Sequence, residues 1–545
     1  MVHIHANETT PLVTASLRSV EVSEGRVALD DGTIPGQKQQ HSDDDEAIEL
    51  IYNNTSSMND PQQIDNNNNN TTNRWNWNRF FRILGPGIMV CLADTDGPCL
   101  LTAAQSGAQY KYSLVLCQMV LIPILYAAQE LTVRLAVCTK EGTTALIREQ
   151  YGHGWAWFAV TLHVFMCWIG QASEFGAIGM LFQDAFGIHR NVTNTVQVVL
   201  LMGIVVMGRL GYRFTEVVGV AFGSLQLVFV ALLFLSQAKP VEIWNGLTEF
   251  HFQEDNYEIL LAGNIGAVIM PWMLYYHQSA VCERRIQRRD LKYERADTWI
   301  GAVLAQLVMT AMVVAMGSLR FYGSNDDPRT DGLGFREIIQ AYAQAFTGTT
   351  FDDIQPGATS ILDVQPALPD DYCSSRPDTT YCDADEVYAQ YAAEMETWYT
   401  PAAYTAAKWV VVLGVCGACT VASMVLTITS VWSVTEILNI DRDLFHPIAE
   451  RPLQYALQFG GLWIAYGLSI FTDISGPWFA VLTQTINGLL ILPVAAFLWL
   501  LASSPKVLPR EYRLAGWYKW LLAFVFAVIC GYCIYGMVQE ILNPF

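Results

Sequence analysis

Long apolar runs separated by short polar links fill most of this 545-residue chain. Each run has about 20 residues, the length that an α-helix needs to cross roughly 30 Å of hydrocarbon. The pattern predicts an all-α polytopic membrane protein with about eleven transmembrane helices. The predicted spans are 82–107, 113–137, 156–182, 194–211, 214–236, 257–282, 297–322, 403–430, 455–471, 477–502 and 516–538.

The first span carries acids and helix breakers at its middle. Between Gly85 and Gly107 it contains the run Asp94-Thr-Asp96-Gly97-Pro98. A carboxylate at this depth is costly and is usually retained for function. Gly and Pro next to it predict an interrupted helix, which frees backbone carbonyls for a bound ion. This span therefore suggests a cation site inside the membrane.

The sixth span carries the second conspicuous break, Met270-Pro271, after the small residues 263–267. Two interrupted helices that lie five spans apart are expected for an inverted repeat of five helices plus five, with the substrate at the paired breaks. A kinked helix without a ligand is the alternative for span six taken alone. The Asp in the matching break favours a binding site.

The net charge of −20 comes from two segments outside the spans. Residues 1–77 hold twelve acids and four bases, and residues 323–400 hold fifteen acids and three bases. Residues 1–77 are predicted to be a disordered acidic tail, and residues 78–545 a transporter domain with a long loop at 323–402. Nothing in the composition suggests binding to nucleic acid.

The basic residues predict how the chain crosses the membrane. Six Arg or Lys follow span six, on the side of the amino terminus, which is then cytoplasmic. The loop 323–402 falls outside, where Cys373 and Cys382 could form a disulfide. Glu46 to Ile51 fits an acidic dileucine pattern, so sorting adaptors are possible partners of the tail. The plasma membrane and an endosomal or vacuolar membrane are both compatible with these patterns.

Asp96 is the best candidate for a cation ligand, since a carboxylate suits every divalent metal. Met270 offers a thioether, which favours Mn²⁺, Fe²⁺ or softer ions over Mg²⁺, although ordinary packing is an alternative. The carbonyls of Ala93 and Ala267 lie where unwinding would expose them. Cys99 adds a possible thiol ligand.

Other polar groups inside the spans could serve the permeation path. Asp94 is either a carboxylate behind the ligands or a vestibule charge, and Glu174 is either a proton relay or a buried hydrogen-bonded acid. His277 could titrate near neutral pH. Gln484, with Asn487, could order metal-bound water or join helices.

These motifs resemble the Nramp (natural resistance-associated macrophage protein) family. The resemblance rests on Gly-Pro-Gly, Asp96 and Gln-Ser-Gly-Ala in span one, Glu174-Phe-Gly in span three and Gly-Ala-Val-Ile-Met-Pro in span six. It implies a LeuT-type fold, transport of Mn²⁺ and Fe²⁺, commonly with protons, and a role in one conformation for Gln484. No cofactor beyond the transported ion is implied, and no enzyme motif is present.

The sequence departs from the family at several positions. The family's Asp-Pro-Gly-Asn aligns with Asp96-Gly-Pro-Cys99, its Met-Pro-His with Met270-Pro-Trp272, and an Asp before Glu174 with Gln171. These changes resemble a divergent branch that carries Mg²⁺ as well as Mn²⁺ without clear proton coupling. The sequence thus predicts a secondary transporter of Mn²⁺, Mg²⁺ or both, with Fe²⁺ as a further candidate, that works by alternating access. A proton-coupled Mn²⁺/Fe²⁺ symporter, a transporter-like sensor and an amino-acid carrier are the alternatives.

Overall fold

A computed structural model of the chain describes residues 75–208, 211–236, 238–252, 255–318, 334–347, 401–440, 450–471 and 477–542. Residues 1–74 of the predicted acidic tail, with the acidic dileucine pattern, and both Cys373 and Cys382 lie outside these ranges. The helices run in order α1 Trp77–Ile83, α2 Pro86–Asp94, α3 Gly97–Tyr110, α4 Val115–Thr139, α5 Thr143–Tyr151, α6 His153–Phe186, α7 Arg190–Met207, α8 Tyr212–Ser224, α9 Val228–Leu235, α10 Pro240–Gly246, α11 Asp255–Val268, α12 Pro271–Glu283, α13 Leu291–Ser318, α14 Phe335–Thr347, α15 Pro401–Ile437, α16 Pro452–Phe471, α17 Pro477–Ser503 and α18 Gly516–Leu542.

Ten of the eleven predicted spans match helices that are long and apolar enough to cross a membrane, counted over the described ranges. One of the ten is the broken pair of α2 and α3. The remaining span, α16, is a 20-residue helix at the predicted position. It is not counted among the ten, and it carries two Gln, two Tyr and three Gly.

The two broken spans lie at the centre of the bundle. Every residue of α3 is buried, and so are residues 271–282 of α12. The most apolar windows of α7 and of the span formed by α8 and α9 are only 28% buried, so these helices present most of their surface to lipid. The longest helix, α15, packs against α6, and α11 packs against α17. The acids of the first span are therefore enclosed by other helices, as expected for polar groups at membrane depth.

Part of the predicted loop 323–402 is helical. The amphipathic helix α14 buries Phe335, Ile339 and Tyr342 against the bundle. Its amino terminus is capped by Asp184 of α6, whose Oδ2 accepts the N–H groups of Phe335 and Arg336 at 3.1 and 3.3 Å. The apolar positions recur at helical spacing between Gly334 and Thr347, so this helix could have been found in the sequence.

Candidate metal site at the two helix breaks

The first break consists of Thr95 and Asp96, between α2 and α3, whose axes differ by 56°. Asp96 is the N-cap of α3, and its Oδ1 accepts the N–H of Cys99 at 2.8 Å. Asp96 is only 4% exposed to solvent. Capping explains why the helix restarts at Gly97, because Asp satisfies the otherwise unpaired N–H groups of a first turn. The buried carboxylate lies where two half-helices meet.

Two prolines free one carbonyl at each break. In a continuous helix the carbonyl of Asp94 would accept from residue 98, and that of Ala267 from residue 271. Both positions are Pro, which has no N–H to donate. The second break also has two residues outside the helix, Ile269 and Met270, but it is the milder one because the span runs on from Tyr257 to Glu283 without the large bend of the first. Each proline stands four residues after the carbonyl that it frees, so both freed carbonyls can be identified from the sequence alone.

The structure brings the two breaks together. The Cys99 Sγ donates to the carbonyl oxygen of Ala267 at 3.3 Å. Further along the same helices, Asn264 Nδ2 donates to Ser106 Oγ at 2.7 Å, and Gln118 Nε2 of α4 donates to Asn264 Oδ1 at 2.6 Å. Asn264 and Gln118 were missed in the sequence, although isolated amides inside apolar spans are a signal of helix joining.

Gln484 of α17 lies beside the second break. A Cβ atom on Gly266 would stand 1.9 Å from the backbone oxygen of Gln484, so only glycine permits this approach of α11 to α17. The Gln484 side chain accepts from Asn487 Nδ2 at 3.0 Å, and both residues are buried. Gln484, although it belongs to a different span, therefore contacts the residue that directly precedes Ala267 in the chain.

Glu174 of α6 lies beside the first break, and its carboxyl and that of Asp96 neighbour each other. A Cβ atom on Gly97 would stand 2.6 Å from Cys419 Sγ and 3.8 Å from Glu174 Oε2. Glycine at the start of α3 thus allows α6 and α15 to approach. Gln171, at the position where the family has an acid, donates to Ser423 Oγ at 2.7 Å and acts as a link between α6 and α15.

Gln226 supports the first break from behind, and the sequence analysis missed it. It lies in a short 3₁₀ turn, residues Leu225–Leu227, between α8 and α9. Its Nε2 donates to the carbonyl of Leu92 at 2.6 Å, and its Oε1 accepts from the Thr95 hydroxyl. The only clue in the sequence is an amide in the middle of an apolar span.

The start of the first span is held by Asp297 of α13. Its Oδ2 accepts the N–H groups of Gly85 and Gly87 at 3.1 and 2.8 Å, and its Oδ1 accepts that of Ile88 at 3.3 Å. Glu216 and Arg284 form a buried ion pair nearby, and Arg284 also donates to the carbonyl of Arg82 at 2.7 Å. These contacts tie α1 and α2 to the sixth and seventh spans.

One predicted pathway residue, His277, lies apart from the ligand candidates, whereas Asp94 lies close enough to Asp96 and Cys99 to interact with them electrostatically. His277 lies six residues beyond Pro271, where its Nδ1 meets Thr132 Oγ1 at 3.2 Å and its Nε2 lies 3.6 Å from Glu294 Oε1. Asp94 is buried at the end of α2, and its Oδ1 has no hydrogen-bond partner among the described residues. In the part of the chain that the structure describes, no three His, Cys, Asp or Glu side chains are arranged to hold a metal. A metal at the breaks would need carbonyl or thioether ligands beside Asp96.

Known proteins share both the sequence pattern and the fold. A profile described as "Natural resistance-associated macrophage protein-like" matches residues 87–347 and 383–539. The chain is 27% identical over 263 residues to the divalent metal cation transporter MntH of Chromohalobacter salexigens, covering 46% of this chain and 59% of that one. It is 29% identical over 279 residues to MntH of Staphylococcus haemolyticus, covering 48% and 60%. The match therefore spans about 60% of the length of these relatives.

Among solved structures, the manganese transporter of Eremococcus coleocola superposes with a TM-score of 0.62 at 15% identity, over 86% of this chain and 89% of that one. A Na⁺-coupled sialic acid symporter superposes with a TM-score of 0.50 at 13% identity, over 84% and 89%. The fold is the LeuT type, a five-plus-five inverted repeat of membrane helices. Within that class the chain belongs to the Nramp family.

Proposed function

We propose that this chain is a secondary transporter that moves divalent metal cations across a membrane by alternating access. The observation that carries the proposal is the contact of the two helix breaks, with the buried Asp96 at one and the carbonyl of Ala267 at the other. A carboxylate offsets the dehydration of the cation, and freed carbonyls at half-helix ends supply further oxygen ligands. The transported ion is the substrate, and no resident cofactor is part of the proposal.

The proposed ligands are Asp96, the carbonyls of Ala93 and Ala267, Met270 and Cys99, with Gln484 joining in one conformation. Asp96 supplies the charge. Met270 adds a preference for Mn²⁺ over Mg²⁺ because its thioether is soft. Gln484 reaches the site as α11 shifts along α17, since their backbones already touch at Gly266.

Transport in liposomes tests this proposal. The purified protein is reconstituted, and uptake of Mn²⁺, Mg²⁺, Ca²⁺ and Fe²⁺ is measured in parallel with internal pH. Asp96→Ala is expected to abolish uptake and metal binding while the protein still purifies as a folded species. Glu242→Gln, which removes a half-exposed acid paired with Lys239, is the control and retains uptake. Near-normal uptake by Asp96→Ala would overturn the site.

Proton coupling is the second candidate, and the closeness of Glu174 to Asp96 favours it. Two neighbouring buried acids respond to a cation together, because a divalent charge bound at one favours loss of a proton from the other. A symporter would show metal-evoked acidification in wild-type liposomes and none in Glu174→Gln. Uptake without any pH change in the wild type would leave the uncoupled transporter as the function.

A further inference from the structure

A basic cleft lies where α1 meets the loop between α12 and α13. It has a volume of about 460 Å³, within the range of about 300–1,000 Å³ that is usual for ligand pockets. Five arginines and one aspartate line it: Arg79, Arg82, Arg284, Arg285, Arg289 and Asp290. This cleft is remote from the helix breaks and has no part in the proposed metal site.

The charge of the cleft is not neutralised by the protein. Arg79 pairs with Asp290 at 2.5 Å, and Arg284 pairs with Glu216. The side chains of the other three arginines have no hydrogen-bond or ion-pair partner among the described residues, and all three are exposed: Arg82, Arg285 and Arg289. Three guanidinium groups facing one cleft call for an anion with about three negative charges. A phosphodiester and one phosphomonoester together carry about −2.5 to −3.

The helix α1 has three distinct faces. Phe80 and Ile83 are buried against the bundle, and Asn78, Arg79 and Arg82 line the cleft. Trp77 and Phe81, one helical turn apart, are 62% and 61% exposed. Exposed aromatic residues beside basic ones at the end of a transmembrane helix are typical of the membrane–water interface. The occupant of the cleft is therefore expected to have an apolar part that lies along Trp77 and Phe81.

We propose that this cleft binds the headgroup of an anionic membrane lipid that carries both a phosphodiester and a phosphomonoester, that is, a phosphorylated phosphatidylinositol. Guanidinium groups bind phosphate oxygens in bidentate fashion, and basic pockets at the inner ends of membrane helices suit such headgroups. The acyl chains would lie against Phe81 and Trp77. The inference rests on the cytoplasmic orientation of this end of the bundle, but not on metal transport.

The cleft lies between two parts of the bundle. Arg82 belongs to the helix that leads directly into α2, whereas Arg285 and Arg289 belong to the link between the sixth and seventh spans. A phosphate group bound by both sides would add to the contacts of Asp297 and Arg284 that hold the start of the first span. Bound lipid would therefore strengthen the hold on the start of the first span that Asp297 and Arg284 already provide.

Lipid binding to the full-length protein in detergent, followed by native mass spectrometry, tests the proposal. The probes are phosphatidylinositol 4-phosphate, phosphatidylserine and the free headgroup inositol 1,4-bisphosphate. The double variant Arg285→Gln/Arg289→Gln removes two exposed charges from the cleft. The matched control Lys506→Gln/Arg510→Gln removes two exposed charges from the loop between α17 and α18.

The wild type is expected to bind phosphatidylinositol 4-phosphate at least tenfold more tightly than either other probe. The affinity of the cleft variant for phosphatidylinositol 4-phosphate is expected to fall about 30-fold, which corresponds to about 1 kcal/mol for each cation removed. The affinity of the control variant is expected to be unchanged. Phe81→Ala should weaken the lipid but not the free headgroup.

Each of three other outcomes would contradict the lipid proposal. Equal affinity for lipid and free headgroup would assign the cleft to a soluble polyphosphate. Equal loss in the control variant would reduce the effect to general surface charge. Unchanged binding in the cleft variant would rule out the site.

Discussion

The thiol of Cys99 lies 3.3 Å from the carbonyl oxygen of Ala267, which joins the two helix breaks of this transporter fold. Cys99 stands at the third position after Asp96, and its N–H also binds the Asp96 carboxylate. One residue thus contacts both the charged ligand candidate and the freed carbonyl of the opposite break. The thiol therefore competes with a bound metal for electron density at the Ala267 carbonyl oxygen, which accepts its hydrogen bond.

Cys99→Ala should therefore change affinity without destroying the site. Loss of the thiol removes a competitor for the Ala267 carbonyl and also a possible ligand, so Mg²⁺ uptake should be retained or improved. Uptake of Cd²⁺ should weaken by about tenfold, which is the effect of about 1.4 kcal/mol. Competition of Cd²⁺ with Mn²⁺ uptake in liposomes measures the change. Cys117→Ala, which alters a thiol outside the breaks, is the control, and the same shift in both variants would refute a specific role for Cys99.

Met270→Ala should weaken Mn²⁺ and Cd²⁺ more than Mg²⁺, because only the softer ions gain from a thioether. The residue is fully buried, so part of the effect will be loss of packing. Met312→Ala separates the loss of packing from the loss of a thioether ligand, because Met312 is equally buried in α13 and belongs to neither break. Apparent affinities for the three ions in the two variants provide the measurement. An equal loss of affinity for all three ions in Met270→Ala would show that Met270 contributes through packing and not as a ligand.

Gly266→Ala should prevent the close approach of α11 and α17. The added Cβ would meet the Gln484 carbonyl at 1.9 Å, and backbone cannot yield as a side chain does. Overpacking of this kind costs about 1–3 kcal/mol or more. Thermal unfolding in detergent should show a clearly lower midpoint or no folded protein. Gly467→Ala is the matched control in α16, since nothing lies within 4 Å of its added Cβ. Equal stability of the two variants would contradict the packing.

Gln226→Leu should destabilise the first break from a distance. It removes the 2.6 Å donor of the buried Leu92 carbonyl, which keeps only the Thr95 hydroxyl at 3.4 Å, and it removes the Gln226 acceptor of that hydroxyl. Loss of a buried hydrogen bond costs about 0.5–1.5 kcal/mol. Both the unfolding midpoint and the metal-induced stabilisation are expected to fall. Ser224→Ala, in the same span, changes an exposed hydroxyl that binds only within its own helix and should alter neither. The proposal fails if Gln226→Leu behaves like that control.

Asp297→Ala should loosen the start of the first span, because three N–H groups lose their acceptor. The native Cys91 of α2 is fully buried and reports the opening. We expect faster alkylation of Cys91, measured by peptide mass spectrometry with Cys117 as the internal reference. Glu242→Gln should leave the rate unchanged. If Cys91 reacts no faster in Asp297→Ala, the carboxylate does not hold this end of the span.

The apolar runs, the two interrupted spans and the acids at the first of them were all predictable from the sequence. Hydrophobic length and the absence of a proline N–H act locally, so each can be read without knowing what lies across the bundle. The expected pairing of spans one and six followed from their spacing. The extent of bending at each break could not be read from the sequence: the first bends by 56°, whereas the second continues as one span.

Only the tertiary structure decided which groups meet. Gln226 reaches Leu92 over 134 positions, Asn264 reaches Ser106 over 158, and Gly266 touches Gln484 of another span. It also separated His277, which lies with Glu294, from Asp96 and Glu174. Such contacts depend on the rotation and depth of each helix, which are set by packing against several neighbours at once. The sequence by itself determined that the helices break and where, and the packed bundle determined what each break faces.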